Sequence, residues 1–428
     1  MRQSSIFFLF YFFTLPIYGQ ARTDTYLANL LNTNTSPIFR QVMQQPEKYR
    51  LQIIYTQINR DKANRPSFTN YYFRVDSTDY FNPASTVKLP LALLSLEKLN
   101  LLNKPQVTKF TAMQFDSAFS GQTKEWTDQT AQSGYPSVAH LIRKAFLVSE
   151  NDPYSRMYEF VGQQQINRSL HAKGYPDTRI THRFVRMTAD ENRHTNPVRF
   201  IAADGTLLYT QPAAYNTDPF DFRRPARLGK GYYVRDSLVK QPFDFTTRNK
   251  LPLESLQQIL QSALFPESVS EKQRFNLTAN DYQFIYQYLS QAPGETNYPK
   301  YDGQKFYDSY AKFFFRDSLH HLPDGLRVFN KVGWAYGFLT DASYVADFRN
   351  KVEYMLTAVI YANSDEILND DKYEYDTVGW PFLYQLGQTI YQHELRRKRA
   401  YKPNLSRFKV RYEKRQEDDR PVVTEVDN

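Results

Sequence analysis

The sequence predicts an α+β fold: one antiparallel sheet built from both ends of the chain and flanked by helices, with a mainly helical subdomain inserted between. Three observations point there. Alternating apolar runs near both chain ends read as strands, and the stretch between them has helical periodicity. Chain ends that supply neighbouring strands must join in one sheet to bury their apolar faces.

The elements follow in order. The start, "MRQSSIFFLFYFFTLPIYGQ", places Arg2 before a short apolar run from Ile6 to Tyr18, with Gly19 as a small residue for cleavage. Residues 1–19 are expected to be a secretory signal peptide, too short for a transmembrane helix, and the mature protein to be secreted or periplasmic. The segment "TYLANLLNTNTSPIFRQVMQQP" has helical character with a polar interruption. "YRLQIIYTQINRD" and "TNYYFRVD" read as two strands of a hairpin. Next, "YFNPASTVKLPLALL" turns from a polar run into an apolar helix, with Asn82 and Pro83 suited to its start. Helix is expected to dominate 90–172, and Gly174 to end it. Around 198–250 the pattern changes: "RFIAADGTLLYTQ" holds an Asp-Gly turn between apolar runs, and "GKGYYVRDSLVKQPFDF" reads as more strand. Helices resume at "LESLQQILQSAL" and "TANDYQFIYQYLSQ". "LRVFNKVGWAYGFLTDASYVADF" and "KVEYMLTAVIYAN" are strong strand patterns, and "TVGWPFLYQLGQTIYQHELRRK" closes as an amphipathic helix. This divides the chain into a signal at 1–19, a single catalytic domain at 20–395 and a charged tail at 396–428. Within the domain, a sheet subdomain covers about 25–80 and 325–395. A helical subdomain covers about 81–324, with an insertion at about 198–275.

Composition narrows the function. Apolar residues make up 41% and aromatics 16% of 428 residues, enough to argue against disorder over most of the length. The absence of cysteine excludes thiol catalysis, disulfides, thiolate metal sites and a lipoprotein anchor. Net charge is +9, and the last 35 residues carry eleven Lys/Arg against seven Asp/Glu. The run "RRKR" at 396–399 has no recognition fold beside it, so nucleic acid is not an expected partner. A solvated end, or loose contact with an anionic envelope surface, is the expected reading. There is no H-E-x-x-H, no G-x-S-x-G elbow and no glycine-rich phosphate loop, so neither metal nor cofactor is expected. His182 and His194 read as structural.

The chemistry is carried by serine and lysine. Ser85 opens the helix that follows the hairpin, and Lys88 lies one turn on, where it can face the hydroxyl. That geometry suits a nucleophile with its own base, and also an ordinary helix cap. S-x-x-K alone is weak, since it recurs at Ser95/Lys98, Ser237/Lys240 and Ser309/Lys312. Two further elements add to it: "VSEND" with Ser149 and Asn151 in a loop between helices, and "NKVGWAYG" with Lys331, Val332 and Gly333 on a late strand. Taken singly, Ser149 reads as a cap for a helix at Asp152 and Pro153, and Lys331 as a solvated strand residue.

The ordered set S-x-x-K, S-x-N, K-x-G resembles the penicillin-recognising serine hydrolases, the class A β-lactamases and penicillin-binding proteins. "SVAHLIRKAFLVSENDPYSRMYEFVG", "HTNP" at 194–197 and "GFLTDASYVADF" extend the resemblance over most of residues 25–395, with 198–275 as an insertion. The resemblance implies a β-lactamase/transpeptidase-like fold and an acyl-enzyme mechanism. In it, Ser85 is the nucleophile, Lys88 the base kept neutral by burial beside Lys331, and Ser149 a proton relay. It makes Asn151 a holder of the substrate's amide, with Gly333 and Trp334 also lining substrate. Gly333 would leave the strand open for substrate to pair along it. The backbone N–H groups of Ser85 and Trp334 would form the oxyanion hole.

Two departures bear on the reaction. The water-activating glutamate of class A enzymes falls at about Phe184, in "THRFVRM", while Asp190 and Glu191 lie several residues late. Val332 stands where the family has Thr or Ser, and "GFLTDASYV" lacks an arginine, so both usual contacts to a substrate carboxylate are missing. Arg186, Arg193 or the insertion are left to supply one. The expected function is an exported monomeric serine hydrolase of class A β-lactamase type, acting on a β-lactam, a related amide or ester, or a peptidoglycan-like substrate. The alternatives are a penicillin-binding, DD-peptidase-like or esterase-like enzyme with slow deacylation, and a catalytically silent envelope-binding protein.

Overall fold

The computed structural model describes residues 21–426. The expected signal peptide lies outside the described residues. Among those residues no helix is long and apolar enough to cross a membrane.

Five strands form the main sheet: β1 (Gln52–Arg60), β2 (Pro66–Phe73), β3 (Leu326–Ala335), β4 (Phe338–Asp347) and β5 (Val352–Tyr361). Their order is β3-β4-β5-β1-β2, every pair antiparallel. The seam between chain ends is β1 against β5, with Tyr55 opposite Leu356. The antiparallel sheet from both chain ends is therefore present. β4 and β5 are buried at every position. A strand covered on both faces reads as a near-continuous apolar run, which is how these two segments stood out.

Helices cover the two faces. On one side lie α1 (Thr25–Leu31), α2 (Pro37–Gln44) and α9 (Trp380–Arg396), which bury Phe39, Phe382, Leu386 and Ile390 against Val332, Leu339 and Val345. On the other side lie α3 (Lys88–Leu102), α4 (Val138–Leu147), α5 (Asn151–Val161), α6 (Gln163–Ala172), α7 (Leu253–Leu264) and α8 (Ala279–Ser290). Their core joins Leu91, Leu93, Met157, Leu260 and Ile285 to Phe329 and Tyr344 of the sheet. α3 is buried almost all round, as expected of a helix apolar on every face.

Two segments differ from the sequence expectation, 103–137 and the stretch after α9, while the insertion follows it. Residues 103–137 are mostly turns rather than helix, with one strand, Ala112–Phe115, that pairs with Val198–Ile201 of the insertion. Gly121 and Gly134 sit there at φ +74°, a conformation that no helix accepts. Up to Asp244 the insertion is built of short strand pairs, including the expected Asp-Gly hairpin between Val198–Ile201 and Leu207–Gln211, and α7 follows. The segment after α9 is not a solvated end. Leu405 and Phe408 are 1% exposed, and Phe408 packs against Phe265, Tyr286, Phe329 and Tyr344 with ring centroids 4.7–5.3 Å apart.

Phe408→Ala should therefore cost about 3–5 kcal/mol of unfolding free energy. Urea denaturation checks this, and a cost within 0.5 kcal/mol of zero, the size of an ordinary surface substitution, would show that the segment is not part of the core.

Candidate active site

Ser85 lies on a tight turn of 3₁₀ helix, Ala84–Val87, that runs straight into α3 at Lys88. Asn82 fixes the entry by accepting the Ala84 N–H at 2.8 Å, and Thr86 donates its hydroxyl to Pro83 O at 2.6 Å. One turn of helix then brings Lys88 Nζ to 2.7 Å from Ser85 Oγ. Ser85 is half-buried and Lys88 fully buried. The other S-x-x-K pairs behave differently: Ser95 donates to Leu91 O, while Lys98 donates to Phe160 O and Gln211.

The loop between α4 and α5 delivers Ser149, and α5 opens with Asn151. Ser149 O accepts a hydrogen bond from Lys88 Nζ, and Asn151 Oδ1 accepts another at 2.9 Å. Ser149 Oγ is 3.4 Å from Lys88 Nζ and 2.9 Å from Lys331 Nζ. Two amines thus converge on one hydroxyl. Ser149 does not cap α5, since no side chain caps that helix, and it holds φ +70°, in the left-handed region. Strain of this kind in a non-glycine residue persists only where the surroundings over-determine it.

Lys331 is 1% exposed, which removes the solvated-strand reading. Burial lowers its pKa to about 7; Asp341 opposes this and the positive charge of Lys312 adds to it. Lys312 is itself buried, and donates to Leu289 O at 2.7 Å, Val328 O at 2.9 Å and Asn330 Oδ1 at 2.6 Å. Asn330 passes the chain on to Asp341 Oδ1 at 2.9 Å. Burial lowers the Lys312 pKa to about 7 and raises that of Asp341 to about 6. No local spacing marks this network, because its members lie on a loop and two different strands.

Gly333 has a packing task that was not expected. A Cβ there would lie 2.7 Å from Pro83 O and 2.9 Å from the Ser85 and Thr86 nitrogens. The strand lies directly on the backbone of the Ser85 turn, so glycine is needed for that contact. Val332 points the other way, fully buried in the core beneath α9. Trp334 borders the cleft, its ring edge-on to Phe313 at 5.7 Å.

Ser85, Asn151 and Trp334 open on one cleft of about 580 Å³. Its walls include Phe184, Arg186, Arg248, Asn249, Tyr336 and Tyr373. Phe184 stacks on Tyr154 at 4.2 Å, and its ring centroid is 5.3 Å from Lys88 Nζ. Arg193 is committed to Asn216 O and Asp218 O, and Glu191 to Ser120 and Thr188, so neither serves the cleft. His182 binds Arg183 O through Nδ1.

The insertion supplies a wall that the sequence did not reveal. Phe243 and Phe245 pack on Tyr336 at 5.6 and 5.2 Å, and Arg248 sits 5.8 Å from the Phe243 ring. Among the described residues Arg248, half-buried, makes no ion pair with a carboxylate.

Residues 39–213 match the model of the β-lactamase enzyme family. No curated protein matches the chain. Among solved structures it is similar to a β-lactamase from Desulfarculus baarsii, at 14% identity over 86% of this chain and 99% of that one, TM-score 0.44. A β-lactamase from Streptosporangium roseum gives 14% identity over 86% and 100%, TM-score 0.44. A PBP-A mutant in acyl-enzyme complex with penicillin G gives 12% over 88% and 98%, TM-score 0.45. The family match spans the Ser85 helix and the Ser149 loop, so the resemblance read from the sequence holds there.

The two lowered lysines carry a pH signature. An unfolded lysine stays protonated to about pH 10.4, whereas these lose their protons near pH 7 when folded. Between those limits the unfolded chain binds more protons, so their contribution makes stability rise with pH. Lys312→Met should make that rise shallower by up to about 1.4 kcal/mol per pH unit between pH 7 and 9. Urea unfolding of both proteins across that range checks it, and identical slopes would mean that Lys312 stays charged in the fold.

Proposed function

We propose that this β-lactamase-like chain is an exported serine hydrolase acting through an acyl-enzyme, with Ser85 as nucleophile and Lys88 as its base. The observation that carries the reading is the buried Lys88 amine 2.7 Å from Ser85 Oγ at the floor of the cleft. Neutral Lys88 takes the Ser85 proton as Oγ bonds to the acyl carbon of a β-lactam, amide or ester. The C–N or C–O bond breaks, and the leaving atom receives the Ser149 hydroxyl proton, which the adjoining lysines restore. The backbone N–H groups of Ser85 and Trp334 hold the developing oxyanion. Asn151 uses Oδ1 on Lys88, which leaves its Nδ2 to donate to the substrate's own amide.

Phe184 favours slow deacylation, the penicillin-binding or DD-peptidase-like reading. An aromatic ring beside Lys88 can accept no proton from water, so hydrolysis of the acyl-enzyme lacks a general base there. Intact-mass measurement with benzylpenicillin should give a one-to-one adduct on the parent that persists. Ser85→Ala should give none, and Phe184→Glu should shorten the adduct's lifetime at least tenfold. An adduct of equal yield on Ser85→Ala sinks the assignment.

Arg248 is the cleft's best-placed cation for an anionic donor, being half-buried, on the cleft wall and without a carboxylate partner among the described residues. Arg248→Gln should raise the half-saturating concentration about tenfold, about 1.4 kcal/mol, for carboxylate-bearing donors and leave neutral esters unchanged. An equal effect on both donors would show that Arg248 shapes the wall without reading charge.

A further inference from the structure

We infer that Tyr301, clamped by the C-terminal segment, positions Ser149 by holding its neighbour Glu150. The inference rests on the reading of Ser149 as part of the acylating set. Tyr301 is wholly buried, and its hydroxyl donates to Glu150 Oε1 at 2.6 Å. The other carboxylate oxygen of Glu150 pairs with Lys144 at 3.2 Å, and Lys144 pairs in turn with Asp128 at 3.2 Å. The Glu150 N–H reaches Lys144 O at 3.4 Å. Glu150 is thus gripped on both sides, one residue after the serine that holds φ +70°. Without that grip the backbone at Ser149 is free to leave the left-handed region. That movement carries Ser149 O away from Lys88 and Ser149 Oγ away from Lys331.

Tyr301 is fixed from behind by the chain's last residues. Val423 N–H donates to Lys300 O at 2.8 Å, and Asp302 N–H donates to Val423 O at 3.0 Å. Arg415 donates to Tyr301 O. A little earlier, Asn297 N–H donates to Glu413 at 3.0 Å, and Gln416 N–H donates to Asn297 Oδ1 at 2.8 Å. The segment after α9 therefore backs the wall behind Ser149, more than 250 residues away in sequence.

The test reads the loop directly and then the chemistry. Tyr301→Phe keeps the ring and removes the hydroxyl, and Glu150→Ala removes its acceptor. Amide hydrogen exchange of the peptide spanning residues 147–152 should speed up about tenfold in each, and by no more in the double variant. Tyr288→Phe is the control: its buried hydroxyl bonds Glu413 of the same segment at 3.2 Å without touching Glu150. It should leave that peptide within twofold of the parent. The limiting rate of adduct formation with benzylpenicillin should fall about tenfold in Tyr301→Phe, with its half-saturating concentration unchanged. Unchanged exchange in Tyr301→Phe and Glu150→Ala, or an equal change in Tyr288→Phe, overturns the inference. Faster exchange in a protein whose parent forms no adduct upholds the clamp and overturns the Ser85 reading instead.

Discussion

The structure depends on one close approach. β3, the edge strand of the sheet, lies with Gly333 directly on the backbone of the Ser85 turn, where a single added carbon would sit 2.7 Å from Pro83 O. An edge strand presents unpaired backbone groups, and proteins usually blunt such an edge. Here the Ser85 turn packs on the face of that strand at Gly333. The contact joins a residue from the first quarter of the chain to one from the last. It also places the Ser85 N–H beside the end of β3, where Trp334 begins the cleft wall.

The charges around that contact are arranged at a cost. Lys331 and Lys312 are both buried, and burial disfavours the charged amine. Asp341 offsets part of this through Asn330, and its own carboxyl is held by Ser343 and the Phe313 N–H. The outcome is a lysine near neutrality on Ser149, whose hydroxyl can both receive and pass a proton. Ser149 adds its own cost through its left-handed backbone. A structure that served stability alone would gain nothing from either.

Much of this was legible in the sequence, and for a plain reason. The strands and helices announced themselves because each spans two or three periods of its pattern, and Ser85 and Lys88 meet because one helical turn suffices. That the Ser149 hydroxyl faces two lysines instead of capping α5 was not legible, since it turns on what reaches it from a strand 182 residues away. Nor was the Lys312–Asn330–Asp341 network, whose members follow no local spacing. The charged tail misled because Leu405 and Phe408 are two apolar residues in a basic stretch, and the partners of Phe408 come from the end of α7, α8 and the sheet, 64 or more residues away along the chain. Residues 103–137 misled because flanking helices lent them a pattern that Gly121 and Gly134 forbid.

Val332 looked like a defect in the sequence, and its orientation changes that judgement. Its side chain lies under α9, in a core of Leu339, Phe382 and Leu386, on the face away from the cleft. A buried hydroxyl there would need a partner, so valine is the residue the packing asks for. The cleft is lined instead by other residues, and the insertion provides one of its walls. Phe245 belongs to the same packed cluster as Tyr80 and Phe81, just before the Ser85 turn, and it clamps Tyr336 at the tip of the β3–β4 hairpin. Tyr336 holds φ +54° in that turn, a conformation that its packing against Phe243 and Phe245 sustains. A wall tied into the core in this way is part of the site's fixed shape, and Arg248, three residues past Phe245, is presented to the cleft by that rigidity rather than by closure of a loop.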